Sequence, residues 1–408
     1  VKAITACRAC GGETLNEFLN LGNQHLSDFR DDESRPPKYP LVVVLCDTCK
    51  LAQLKHTTPQ KEMYHDRYGF KSGVNEKIRE DLDNVVLHAF QYVNDPRSWL
   101  DIASNDGTLL SFVPENIYRV GVDPVPFLCL EAEQHADLII NDYFNSTVGG
   151  EYDVITSVSC FYDMPDPSQF VQDVKNVLSP KGVWVIQQNY LLTTMQLGAV
   201  DNFCHEHLEY YTLYSLEKLL KRFDLEVIEV MTSMVNGGSI RTVVAHKGAY
   251  VPDASVKHQR QQEYIHGVEL LTTYQMFAED VGLELNKLWR LVNDLKEHGK
   301  TIAILAASTR GATIWQSAEF DETLIDYAVE RNPAKVGRMF SAIGIPIIAE
   351  EDARLRKPDY MIIGPWFFAP QIAEREKDYV MGGGRLIVPL PEVKIIDAEN
   401  YSHILSNL

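Results

Sequence analysis

Short apolar runs bounded by turn residues fill the middle of the chain. SWLDIAS (98–104), YRVGVDP (118–124), ADLIIND (136–142), YDVITSVSC (152–160) and GVWVIQQ (182–188) each read as a buried strand. PSQFVQDVKNVLS (167–179) carries apolar residues at helical spacing and is expected to stop at Pro180-Lys181-Gly182. Strands alternating with helices predict a parallel α/β sheet. The same alternation returns near the end, with TIAILAAS (301–308) as a strand, RGATIWQSAEF as a helix, and IDYAVE, PDYMIIG and RLIVPL as further strands. Between the two regions, residues 254–297 show one long helical pattern that stops at Gly299. The first 65 residues differ: they hold one strand-like run, LVVVLC (41–46), and a Pro-bearing loop, DDESRPPKYP. So small a core needs a staple. Residues 66–95 read as a helical connector, with apolar spacing in IREDLDNVVLHAF. The expected division is a small N-terminal domain (1–65), a central α/β domain with its connector (66–250), a helical linker (251–298) and a C-terminal Rossmann-like α/β domain (299–408).

Charge narrows the function. Lys and Arg number 38 against 57 Asp and Glu, a net charge of −19 over 408 residues. An acidic surface of that size argues against binding a phosphate backbone without regard to sequence, so no nucleic-acid partner is expected. A local basic pocket for one nucleotide remains compatible with it. The longest apolar runs are too short to span a bilayer, and residues 1–12 lack an apolar signal core, so the expectation is a cytoplasmic protein without membrane attachment. Seven cysteines, an odd number, fit reduced thiols.

Three segments carry chemistry. Cys7 and Cys10, then 35 residues, then Cys46 and Cys49 form two Cys-x2-Cys knuckles. Two knuckles let four thiolates surround one Zn2+ with no open position, which makes the metal structural. A pair of redox dithiols is the alternative, and neither pair lies in a strand-to-helix context that would favour it. The second segment is the turn after the first central strand, Asp101-Ile102-Ala103-Ser104-Asn105-Asp106-Gly107. Ala103 and Gly107 are small enough for a ligand to approach the backbone, and Asn105 and Asp106 tolerate unusual backbone angles. Asp123 ends the next strand 22 residues after Asp101, where an acid can take the ribose hydroxyls of an adenosine. Asn141 and Asp142 close the third strand, within reach of an adenine edge. No GxGxxG is present, so a ligand without a pyrophosphate, such as S-adenosylmethionine (SAM), fits better than NAD. An ordinary strand-turn-helix of any α/β fold is the other reading. The third segment is His205-Glu206-His207, the densest acid–base cluster in the chain. Histidine is the usual general base near neutral pH, and the segment lies beyond a strand end, where α/β sheets bind ligands. A second metal is the rival, but Glu209 replaces the second His of HExxH.

Taken in order, the two Cys-x-x-Cys pairs, SNDGTLL (104–110), HEH (205–207), NGGSIR (236–241), ASTRG (307–311), ERNPAKVGR (330–338) and IVPLPEV (387–393) resemble the sugar C-methyltransferases that act on nucleotide-linked deoxysugars. The resemblance covers essentially the whole chain. It implies a zinc-binding N-terminal domain, a central class I SAM-methyltransferase domain and a C-terminal Rossmann-like domain. It also implies a reaction, in which C3 of a nucleotide-linked 4-keto-deoxysugar loses a proton and the enolate takes the SAM methyl. His207 then corresponds to the general base, Glu206 and His205 orient it or stabilise the enolate, and Tyr68 of the connector joins them. Asn236 faces the substrate, and Ser308, Thr309, Arg310 and Gly311 cradle the diphosphate; a simple helix cap is the other reading of those four. The chain departs from the family pattern at Asp101 and Ala103 of the turn, at Cys204 before HEH, at Phe70, at Glu330 and at Phe367. O- or N-methyl transfer to a nucleotide sugar, and a zinc protein that only binds such a sugar, are the competing functions. Three domains are compatible with a monomer, and no dimer signal is evident.

Overall fold

The computed structural model describes residues 1–59, 62–63 and 71–405. Tyr68 and Phe70 lie outside the described residues. The chain forms two compact units, each assembled from separated segments: the first from 1–17, 43–193 and 206–273, the second from 18–42, 194–205 and 274–408.

The first unit is built on a seven-stranded sheet. Its strands are β1 (Ser98–Ile102), β2 (Tyr118–Val122), β3 (Leu138–Ile140), β4 (Tyr152–Val158), β5 (Leu178–Asn189), β6 (Leu225–Ser233) and β7 (Ser239–His246). Their order is β3-β2-β1-β4-β5-β7-β6. The first five run parallel, and β7 joins antiparallel to β5 as one arm of a hairpin with β6. The inner parallel strands β1, β4 and β5 are largely buried on both faces and read as nearly continuous apolar runs, whereas the edge strand β3 leaves Leu138 exposed. The helix Glu76–Ala89 lays Leu82, Val85, Val86 and Ala89 on one face, against Trp99, Val154, Val183 and Val243. Asn75 caps that helix, accepting from the backbone N–H groups of Lys77 and Ile78.

The five central strands match the sequence expectation, but three features do not. The helix of 167–179 ends at Val177, and Pro180-Lys181-Gly182 belongs to β5, where a Cβ on Gly182 would meet the Tyr152 carbonyl at 2.8 Å. The β6–β7 hairpin was not anticipated; NGGSIR turns out to be its turn and the start of β7. The expected single helix over 254–297 is two helices, Ala254–Ile265 and Leu271–Glu297, broken where Gly267 takes φ +65°.

The first unit also carries the cysteine knuckles. Ala52–Leu54 pairs antiparallel with Val43–Leu45 and, on its other side, with Glu209–Tyr210. Gln53 and Glu209 stand opposite each other in that small sheet.

The second unit has its own α/β sheet. Its strands are β8 (Ile302–Leu305), β9 (Tyr327–Glu330), β10 (Met339–Phe340), β11 (Ile345–Ala349), β12 (Tyr360–Ile363), β13 (Arg385–Val388) and β14 (Lys394–Ile396). The order is β14-β13-β12-β8-β9-β11-β10, with Phe29–Arg30 on the β10 edge. The strand order reverses at β8, between β12 and β9, which opens a crevice at its carboxyl end.

Positive φ recurs in the turn after β1: Ala103 at +58°, Asn105 at +52° and Gly107 at +77°. An L-residue other than Gly or Asn is costly there. Replacing Ala103 with Gly is expected to raise the urea midpoint, corresponding to roughly 0.5–1 kcal/mol of added unfolding free energy, the relief of Cβ strain less the added freedom of the unfolded chain. A lower midpoint would show that the Ala103 methyl contributes more by packing than it costs in backbone strain.

Candidate active site

The turn after β1 is held by its own side chains. The Asp123 carboxylate, almost wholly buried, accepts from the backbone N–H of Asn105 at 2.9 Å and of Val125 at 2.8 Å. The Asn105 side-chain oxygen accepts from the Ser72 N–H at 3.0 Å, and the Asp106 carboxylate from the Gly73 N–H at 2.9 Å. The short turn Ser72–Val74 is thereby tied to the loop. Gly107 faces Ala132, whose Cα would lie 2.8 Å from an added Cβ. Asp106, expected like Asn105 to tolerate unusual backbone angles, is not among the positive-φ residues and instead works through its side chain, which also accepts from the Thr108 hydroxyl at 2.5 Å.

Two clefts open at the carboxyl ends of β1, β2 and β4. The larger is lined by Ala103, Asn105, Asp123, Asp142, Tyr143 and Phe144, together with Ser159, Cys160, Asp163 and Met164. The second is lined by Asp81, Asp101, Ala103, Ser104, Gln187 and Asn236. They share Ser72, Ala103, Val158 and Ser159. Asp123 spends one lone pair of each oxygen on a backbone N–H, which leaves capacity for two ribose hydroxyls. Asp142 is exposed at the rim. Asn141 is committed structurally: its Nδ2 donates to the Asp123 carbonyl at 3.0 Å and approaches Cys129 Sγ at 3.3 Å. Asp101 is buried in β1, where the Thr156 hydroxyl donates to it at 2.6 Å. Burial, followed by the nearby Asp123 charge, pushes its carboxyl up to about 7. Burial also raises the Asp123 carboxyl. The Ser104 hydroxyl is buried without a partner beside the second cleft. Donors, acceptors and volume together suit SAM: an adenosine in the larger cleft and a short polar chain in the smaller.

The four cysteines converge as their spacing predicts, with all four sulfurs within 4.8 Å of one another. Cys7 and Cys49 sulfurs lie 3.5 Å apart and Cys10 and Cys46 sulfurs 3.6 Å. Tetrahedral zinc with bonds of 2.3 Å would separate ligand sulfurs by about 3.8 Å, so the cage needs only a slight expansion. The knuckles repeat one turn, with Gly11 N–H donating to the Cys7 carbonyl at 2.9 Å and Lys50 N–H to the Cys46 carbonyl at 3.0 Å. Gln53 Nε2 donates to Cys7 Sγ at 3.1 Å, the kind of outer contact that stabilises a thiolate ligand.

The HEH residues take different environments. His205 is buried in the second unit, its Nε2 3.1 Å from the Tyr39 carbonyl. Glu206 and His207, in the first unit, are half-buried. The His207 ring lies 4.3 Å from the Tyr162 ring, and the next residue, Leu208, donates its N–H to the Tyr162 carbonyl at 2.9 Å. Tyr162 belongs to the turn Phe161–Asp163, whose Asp163 lines the larger cleft. Asn236 sits in the β6–β7 turn at φ +54° and lines the second cleft.

In the second unit the crevice at β8 receives Ser308, Thr309, Arg310 and Gly311 at the start of the helix Thr309–Ser317. The Ser308 hydroxyl caps that helix, accepting from the Gly311 N–H at 3.0 Å. Arg310 pairs with Asp201 at 2.8 Å and lies 5.1 Å over the Phe367 ring. Lys335, unremarked in the sequence, donates to the Ala307 carbonyl at 2.8 Å from beneath the same loop, and burial lowers its pKa.

Comparison with known proteins agrees with this arrangement. Family models match in sequence order: a zinc binding domain over residues 7–64, a methyltransferase domain over 74–230 and a C-methyltransferase C-terminal domain over 234–391. With its cofactor cleft and cysteine cage, the chain is a SAM-dependent methyltransferase with a zinc-binding domain. More narrowly, its domains and its likeness to a full-length relative support a SAM-dependent C-methyltransferase. The C-methyltransferase NovU of Streptomyces niveus is 28% identical over 98% of this chain and 99% of its own length. Among solved structures, an S-adenosylmethionine-dependent methyltransferase of Clostridium acetobutylicum ATCC 824 is 16% identical, covering 42% of this chain and 92% of its own, with a TM-score of 0.36. The N-methyltransferase NodS of Bradyrhizobium japonicum WM9 is 14% identical, covering 43% and 98%, with a TM-score of 0.34. Among the described residues no helix is long and apolar enough to cross a membrane.

Two outcomes test the site. Metal analysis of purified protein should find one zinc per chain, and Cys46→Ser should abolish stoichiometric zinc and lower the thermal midpoint; zinc retained in the variant would remove Cys46 from the cage. Asp101, raised to about 7 from an ordinary 3.8, stabilises the cofactor-free protein below pH 4, and that contribution is lost as pH rises through 7. Stability should fall over that window at up to roughly 1.4 kcal/mol per pH unit from this group. Asp101→Asn should flatten the fall measured by urea unfolding, leaving the smaller slope due to Asp123. An unchanged profile would place the Asp101 titration at an ordinary pH.

Proposed function

We propose that the enzyme methylates a ring carbon, C3, of a nucleoside-diphosphate-linked 4-keto-deoxysugar, through an enolate formed by His207. The observation that carries this reading is the placement of His207 against Tyr162, on the turn that lines the cofactor cleft. A base next to that turn supports proton removal near the methyl donor, which carbon alkylation requires. SAM, when bound, supplies an electrophilic methyl.

His207 removes the proton made acidic by the adjacent ketone. Glu206 and His205 orient it or stabilise the enolate, and Tyr68 contributes from the connector. Of these, His205 is best suited to positioning, because its ring is buried against the Tyr39 carbonyl. Asn236 approaches the reacting end of the sugar from the β6–β7 turn. Within the second unit, the crevice at β8 is the candidate for binding a diphosphate. There Ser308, Thr309 and Gly311 present the helix N-terminus to a diphosphate, Arg310 and Lys335 add positive charge, and the strand order reverses as it does where α/β sheets bind nucleotides. The cysteine cage needs reduced thiols, which supports a cytoplasmic setting. The kinship with a C-methyltransferase over nearly the whole chain supports carbon as the acceptor atom.

The test is incubation with SAM and a panel of nucleotide-linked 4-keto-6-deoxysugars. The expected product gains one CH2 by mass spectrometry, and carbon NMR places it on a ring carbon. His207→Ala should lower kcat by about 10²–10⁴. In D2O the wild type should also exchange the C3 proton of the substrate without turnover, and the variant should not. A methyl on oxygen or nitrogen, or exchange that survives in the variant, overturns the enolate reading.

A further inference from the structure

The second cleft contains a side-chain network that the sequence did not foreshadow. Arg241, the last residue of NGGSIR, is nearly buried on β7. Its Nε donates to Gln187 Oε1 at 2.6 Å and its NH2 to Asp81 Oδ1 at 3.0 Å. Gln187 Nε2 in turn donates to the other Asp81 oxygen. Asp81 lies on the helix Glu76–Ala89 and is fixed from two sides by groups on β5 and β7.

Parallel register sets this network beside Asp101. Thr156 on β4 is level with Asp101, and Val158 is level with Gln187. Residues two apart on a strand share a face, so Asp101, Thr156, Val158 and Gln187 all point toward the helix Glu76–Ala89. Asp81, Asp101, Ser104 and Gln187 therefore line one cleft. Its acidic groups are Asp81, already paired to the one guanidinium, and Asp101, whose buried carboxyl a neighbouring cation would draw into the ionised form. The cleft also holds the Ser104 hydroxyl, 3% exposed and without a hydrogen-bond partner. An unsatisfied hydroxyl beside surplus carboxylate is suited to a small cation that donates hydrogen bonds.

We propose that Asp81, set in place by Arg241 and Gln187, joins Asp101 and Ser104 in receiving the α-ammonium of the cofactor's amino-acid end. The adenosine occupies the larger cleft, and the two clefts meet at Ala103 and Ser159. Arg241 is then a positioning residue. It touches no substrate, and it holds the Asp81 carboxylate at one angle. The inference rests on the assignment of the larger cleft to adenosine.

The test compares two neutral thioethers by calorimetry. S-adenosylhomocysteine carries the amino-acid end, and 5′-methylthioadenosine has the same adenosine without it. Asp81→Asn keeps the shape and one acceptor but removes the charge. It should weaken S-adenosylhomocysteine at least tenfold and methylthioadenosine less than twofold. Arg241→Lys should show the same selective loss to a smaller extent, because Lys keeps the charge but not the fork that holds Asp81 and Gln187 together. Equal weakening of both ligands would mean a purely structural network and overturn the proposal, as would an unchanged Asp81→Asn. If wild-type protein binds S-adenosylhomocysteine but not methylthioadenosine at millimolar concentration, the adenosine assignment fails, not the ammonium site alone.

Discussion

The hydrogen bonds between the Asp123 carboxylate and the loop after β1 organise the first unit's chemistry. A carboxylate at the end of β2, buried and therefore costly to ionise, accepts the backbone N–H of Asn105. That bond fixes a loop whose residues 103, 105 and 107 all sit at positive φ. With the loop fixed, Asn105 and Asp106 capture the turn Ser72–Val74, and Ala103 is left at the junction of two clefts. The protein concentrates its backbone strain and its buried carboxylates at one strand end. Such strain persists where neighbouring interactions over-determine it.

The inner parallel strands were legible because both faces are buried, so their apolar runs stand out without any partner being known. The β6–β7 hairpin was not, although LEVIEVMTS is rich in β-branched residues. β6 is an edge strand, and its register shifts between Val227 and Glu229, which breaks the alternation that would mark it. The break at Gly267 was hidden for a different reason: helical apolar spacing resumes on the far side, and periodicity does not register a change of direction.

The same division runs through the site. The cysteine cage was readable, since four ligands in two local knuckles carry their geometry with them. Asp101, Asp123 and Gly107 were readable from their places on a strand-turn-helix. Asp81, Arg241 and Lys335 were not, because each acts through a contact with a residue distant in sequence: Arg241 with Asp81, and Lys335 with the Ala307 carbonyl. Asn141 shows the converse. Its position suggested an adenine contact, while its amide holds the ends of β2 and β3 together.

These contacts also bear on how a methyl donor is presented. The proposed base, His207, would gain from proximity to the donor only if the donor cannot rotate, and an adenosine cleft alone would fix one end of it. Asp81 lies on the helix that packs over β1, β4 and β5, and its carboxylate is clamped by Arg241 and Gln187. A second anchor at the amino-acid end would leave the sulfur held from both sides, with its methyl directed along the remaining open bond. The buried Arg241–Asp81 pair contributes little net stability, since desolvation offsets most of its attraction. Its value lies in direction: a guanidinium fork and an amide hold one carboxylate at a defined angle at the mouth of a cleft.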